Sequence, residues 1–138
     1  MNGIDDAIIL AARLFLSMLF LIFGVRKVRD YSGTVNQMVR DGIPTPILAT
    51  IIAIFMELPV AFAVAVGAFT RTAALLMAFY TFGTSLVEHR FWTATSEHRV
   101  ESMEAFLKNL SIMGGFLLLC ITGAGRYSVD FLFGLAAP

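Results

Sequence analysis

The chain has one cysteine, Cys120, and no C-x-x-C pair. An intramolecular disulfide is excluded, and so is dithiol redox chemistry carried by this chain alone. Charge is scarce as well. Only 14% of the residues are Asp, Glu, Lys or Arg, against roughly 25% in an ordinary soluble domain. The formal net charge is zero, which offers no electrostatic footprint for nucleic acid. There is no phosphate loop, Ser-His-Asp set or dinucleotide fingerprint. The two histidines, His89 and His98, form no i, i+4 pair and have no cysteine cluster beside them, so no metal site is predicted.

What fills the chain instead is apolar: 58% of its 138 residues are hydrophobic. Crossing a hydrocarbon core takes about 20 residues of helix, and four stretches approach that length, at about residues 7–25, 47–67, 71–89 and 105–122. Backbone groups in lipid must be satisfied within the segment, so helical-length spans predict a helix bundle and exclude a β-barrel. The expected architecture is an all-α membrane protein, with residues 1–138 forming one four-transmembrane-helix bundle. The N-terminus is acidic where a secretory signal would be basic, so the first span is expected to be retained.

The connections carry further information. Arg26, Lys27, Arg29 and Arg40 lie in the first, and Arg90 and Arg99 in the third, with Lys108 just inside the next helix; the opposite side has Arg71 and Arg126. The positive-inside rule puts the first and third connections in the cytoplasm and both termini on the outer face. Tyr31, Val35, Met38 and Val39 recur at helical spacing, which predicts a short interfacial helix between the first and second spans. Gly42 is placed to end it, and Pro46 to start the next helix. Phe91 and Trp92 fit an anchor at headgroup level.

Arg13, Glu57, Lys108 and Asn109 stand inside apolar spans, where a central charge costs roughly 2.5–3.5 kcal/mol on insertion scales. Such residues are expected to face the interior and pair. Glu57 is the middle residue of its span and Arg13 lies about 4.5 Å from its own midpoint by helical rise, so Arg13–Glu57 is the expected pair. Lys108 either reaches Glu57 or snorkels to the interface. Two stripes agree with this orientation: Arg13, Ser17, Phe20 and Gly24 in the first span, and Thr50, Ala53, Glu57 and Ala61 in the second. Lys108, Ser111 and Gly115 suggest a similar track in the fourth. Pro59 removes a helical donor and is expected to bend the helix beside Glu57. The charge cluster reads either as a ligand or proton site or as a device that fixes helix register.

The order and spacing of Arg13, Phe23-Gly-Val-Arg-Lys27, Gly42-Ile-Pro44, Glu57, Gly67-Ala-Phe-Thr-Arg71, His89-Arg-Phe-Trp92, Lys108-Asn-Leu110 and Gly123-Ala-Gly-Arg-Tyr-Ser-Val-Asp130 resemble the bacterial DoxX family across nearly the whole chain. The resemblance implies a small four-helix protein of the bacterial inner membrane. It also implies a role as a subunit or partner of a redox system, since some members are described as subunits of thiosulfate:quinone oxidoreductase. The family's recurring polar positions map to Arg13, Glu57, His89, Lys108 and Asn109, and to Gly123, Gly125, Arg126, Tyr127, Ser128 and Asp130 of the tail. Nothing here is an obvious thiosulfate site or electron carrier.

A quinone as ligand needs an apolar slot, donors for its carbonyl oxygens and a proton path. Arg13, Lys108 and Asn109 are candidate donors, Glu57 or His89 a relay, and Phe20, Phe55 and Tyr80 the slot. The tail also has a plain structural account: Gly123 and Gly125 end the fourth helix, Tyr127 sits at the interface, and Arg126 pairs with Asp130 four residues on. The expected partners are the lipid bilayer, a redox protein and further copies of the chain. The alternatives are a structural or assembly protein without a small-molecule site, or a small transporter-like oligomer.

Overall fold

The computed structural model describes residues 3–135, and all regular structure within them is helical. The elements are α1 (Gly3–Arg29), α2 (Tyr31–Arg40), α3 (Pro46–Phe55), a π turn (Met56–Val60), α4 (Ala61–Val66), α5 (Thr70–Glu88), α6 (Arg99–Thr122) and α7 (Val129–Leu132). α3, the π turn and α4 run on as one 21-residue rod, Pro46–Val66. Among the described residues three helices are long and apolar enough to cross a membrane: Gly3–Arg29, Pro46–Val66 and Arg99–Thr122. The fourth expected span, α5, forms as a helix of 19 residues but carries Arg71, Glu88 and several hydroxyl residues, and it is not among those three.

Polar and charged side chains are buried inside the bundle, and its surface is apolar. Arg13 is 1% and Glu57 4% exposed, and Ser17, Thr50, Thr81 and Ser85 are buried with them. Phe15 and Ile121, by contrast, are 71% and 72% exposed, amid a surface rich in Leu, Ile and Phe. A chain folding in water would reverse that arrangement. Where the surroundings are as apolar as a side chain, small residues that let backbones approach hold helices together. The core accordingly packs Ala61, Ala73, Ala74 and Ala78 around Met77, Val64 and Phe116, with Phe20 and Phe116 ring centroids 5.6 Å apart.

α5 lies along α6, and α1 lies along the Pro46–Val66 rod. Gly24 makes the second contact close: a Cβ there would stand 2.8 Å from Leu58 and 3.0 Å from the Cβ of Glu57. The two expected stripes are buried in α1 and in the Pro46–Val66 rod. The track expected in α6 is not the buried one. Its inner face runs through Phe116 and Leu119, while Lys108 and Ser111 are exposed.

Pro59 does more than bend its helix. The chain widens there into the π turn, and the Ala61 N–H reaches back five residues to the Met56 carbonyl. A single inserted π turn accommodates a residue that cannot donate, and such turns recur at functional sites. At the end of α4 the Ala68 N–H bonds the Ala63 carbonyl and the Gly67 N–H that of Val64, the helix-ending pattern that requires a left-handed residue. Gly67 supplies it at φ 75°. Residues Tyr31–Arg40 form the helix α2, capped by Asp30 on the Gly33 N–H at 3.0 Å and ended by Gly42 at φ 69°. It packs on α3 through Met38, whose sulfur accepts from Thr50.

A Cβ at Gly67 would also run into the Arg13 guanidinium and Ser128. Gly67→Ala is therefore expected to cost about 1–3 kcal/mol in denaturant unfolding of the micellar protein. Gly83→Ala, in α5 with nothing within 4 Å, should leave stability equal or up to about 1 kcal/mol higher.

Candidate functional site

α1 is longer than its apolar stretch suggested and carries Arg26, Lys27 and Arg29 in its last turn. That extension decides the pairing of Glu57. The stripe Arg13, Ser17, Phe20, Gly24 advances by threes and fours, and its next member is Lys27. Lys27 Nζ donates to Glu57 Oε1 at 2.9 Å and Oε2 at 2.8 Å. Tyr80, from α5, donates its hydroxyl to Oε1 at 2.7 Å. Three elements thus meet on one carboxylate: α1, the π turn and α5.

The Lys27 side chain is 22% exposed and that of Glu57 6%, so the pair sits at the edge of the interior. An ammonium has three donors, and two of those on Lys27 are engaged by Glu57. Phe23 flanks the ammonium at 5.7 Å from its ring centroid. Glu88, at the end of α5, interacts electrostatically with Lys27, Glu57 and its neighbour His89. Phe20 closes the inner side against the Tyr80 ring, with centroids 6.4 Å apart.

Arg13, the expected partner of Glu57, is engaged elsewhere. Its Nη1 donates to the Ala124 carbonyl and its Nη2 to the Tyr127 carbonyl at 2.6 Å. The planar guanidinium fork suits two acceptors at once, and it fastens the tail across the end of the bundle. Asp130 does not pair with Arg126. Its two oxygens accept from the Phe69 and Thr70 N–H groups at 2.7 and 2.8 Å. α5 starts without a side-chain cap of its own, at Phe69 in a left-handed conformation, so Asp130 caps it from some sixty residues away in sequence. Arg126 instead lies over the Phe131 ring at 5.6 Å, while its N–H donates to buried Asp6 at 3.0 Å. Ser128 caps α7 on the Phe131 N–H, Gly123 and Gly125 take positive φ, and Tyr127 is exposed.

The remaining candidates separate. Phe20 and Tyr80 come together, but Phe55 is 57% exposed on the outer face and lines no slot with them. Lys108 is exposed and Asn109 half-buried on α6, and neither touches the Glu57 carboxylate. His89 ends α5, its N–H on the Ser85 carbonyl. Trp92 packs edge-on against Phe91 and Phe106, tying the third connection to α6. Arg90 reaches the Asp41 carbonyl beyond α2 at 3.1 Å. Among the described residues no group of three or more His, Cys, Asp or Glu could hold a metal ion. Lys27 is legible in the sequence as the continuation of a stripe, although it lies beyond the apolar stretch of the first span.

The DoxX family model matches residues 8–90. The chain is 45% identical over 123 residues to Inner membrane protein YphA of Escherichia coli (strain K12), covering 89% of this chain and 88% of that one. It is 38% identical over 132 residues to Inner membrane protein YqjF of the same organism, covering 96% of each. No solved structure matches.

Arg13→Lys keeps the charge but loses the fork. It is expected to free residues 123–135 to proteolysis at least tenfold faster while the rest of the bundle stays resistant; equal cleavage rates would show that the guanidinium does not hold the tail.

Proposed function

The chain belongs to the DoxX family, and we propose that it is a multi-pass protein of the bacterial inner membrane, a membrane subunit or partner of a redox system. Its polar site is the Lys27–Glu57–Tyr80 centre, which meets a quinone or lipid headgroup arriving from the bilayer. In this reading α5 is the fourth span, α2 lies at the interface, and the arginine-rich end of α1 faces the cytoplasm with both termini outside. The names of the relatives support the location. The redox role rests on the family resemblance.

The observation that carries the site is the remaining donor of Lys27, on a partly exposed ammonium held by a buried carboxylate. A quinone carbonyl oxygen needs such a donor, and Phe23 offers its ring an apolar neighbour. Reduction of a quinone to a quinol takes two electrons and two protons. The electrons come from the partner protein; Glu57, with Glu88 and His89 towards the end of α5, forms the path for the protons.

A second reading is favoured by the same geometry. Both oxygens of Glu57 are engaged, in three hydrogen bonds from two other helices. On that view the centre is a clamp that sets register, and the chain serves assembly. Retained quinone separates the two. The site reading expects about one quinone per chain after purification in mild detergent, reduced at least tenfold in Lys27→Gln and Glu57→Gln and unchanged in Arg29→Gln. Background quinone in every form, with lowered stability in the first two variants alone, would leave the clamp.

A further inference from the structure

At the end of the bundle opposite Lys27, where Arg13 fastens the tail, the structure has an open cleft of about 910 Å³. It lies between the start of α5, the end of α6 and the loop that follows α6, and Asp6 of α1 lines it. Two of its polar atoms have no hydrogen-bond partner among the described residues: Asp6 Oδ2 and Thr70 Oγ1. Both residues are 1% exposed. A buried acceptor left unmatched costs about 1–3 kcal/mol, so Asp6 Oδ2 calls for a donor from outside the chain. Arg71 and Arg126, both exposed, stand on the same cavity.

Thr122 belongs to this cavity and also to a second one of about 400 Å³ between α1 and α6. The second is lined by apolar side chains, among them Phe15, Leu16, Ile112 and Leu118, and by Gly115. A cleft that holds two cations and one unmatched carboxylate oxygen therefore adjoins an apolar groove that faces outward between two candidate spans.

We propose that these adjoining cavities form a binding site for one phospholipid whose headgroup joins a phosphate to an ammonium, the phosphoethanolamine class. The phosphate takes charge-assisted hydrogen bonds from Arg71 and Arg126. The ammonium donates to Asp6 Oδ2, and one acyl chain lies in the α1–α6 groove. Charge complementarity selects this occupant: a neutral amphiphile would leave both guanidiniums without an anion, and a purely anionic headgroup would leave Asp6 facing a like charge. Each half of the headgroup meets the group of opposite sign. The site is separate from the Lys27–Glu57–Tyr80 centre and stands whether or not that centre binds a quinone.

The test is native mass spectrometry of the whole chain, released from nanodiscs of equal phosphatidylethanolamine and phosphatidylglycerol. Wild type is expected to keep one phosphatidylethanolamine through delipidation, in at least tenfold preference to phosphatidylglycerol. Arg71→Gln together with Arg126→Gln, both changes on exposed side chains, should lower retention of both lipids at least tenfold. Asp6→Asn keeps an oxygen for the Arg126 N–H and should abolish the preference while phosphatidylglycerol stays bound. Retention unaffected by the arginine changes would overturn the proposal, and so would a wild type without preference. Glycerophosphoethanolamine, which lacks acyl chains, should not displace the lipid at tenfold excess; displacement would mark a soluble phosphate ester as the ligand instead.

Discussion

Glu57 is the residue around which the bundle is arranged. A carboxylate buried within an apolar bundle is tolerated only when donors surround it, because removing its water without replacement costs several kcal/mol. Here the donors come from helices remote in sequence, Lys27 from α1 and Tyr80 from α5. Satisfying that carboxylate brings α1, the π turn and α5 together at one point. Gly24 permits the approach, since any larger residue would meet Leu58 and Glu57 itself. The π turn completes the arrangement by absorbing Pro59 within the rod.

α1 is held at two points, and the second obeys different chemistry. At the Lys27 end charge meets charge. At the other, Arg13 meets backbone carbonyls of Ala124 and Tyr127, groups left over where α6 has ended and the chain turns back. Asp130 then closes the circuit by capping α5 and by donating its own N–H to the Gly67 carbonyl at 2.8 Å. The tail is thus a structural strap across the ends of α1, α4, α5 and α6. The same folding back creates the cleft lined by Asp6 and Thr70, where Asp6 Oδ2 and Thr70 Oγ1 stand unmatched.

The helical content, the burial of two polar stripes, the stop at Gly42 and the start at Pro46 were legible in the sequence. Each depends on local pattern alone. The pairing of the charges was not, for a physical reason: depth along a helix says which residues are level, whereas a side chain pairs with what its own stripe brings to the contact. Arg13 is close to Glu57 in depth by residue count, but the tail supplies it with two carbonyls that no count along a span reveals. Lys27 lies past the apolar stretch, where charge marks an end by composition, although α1 continues through Arg29. The π turn was hidden in the same way, since a proline announces a missing donor and not how the chain closes around it. Lys108 had the right chemistry on the wrong face of α6.

If the Lys27–Glu57 contact is the constraint on which the helix arrangement rests, the two side chains must be energetically coupled and not merely adjacent. The direct measurement is a double-mutant cycle of unfolding free energies in micelles, with Lys27→Met, Glu57→Gln and the two combined. A coupling of roughly 1–3 kcal/mol, with the double variant more stable than the sum of the single losses implies, is the predicted result. Losses that add to within about 0.5 kcal/mol would contradict it.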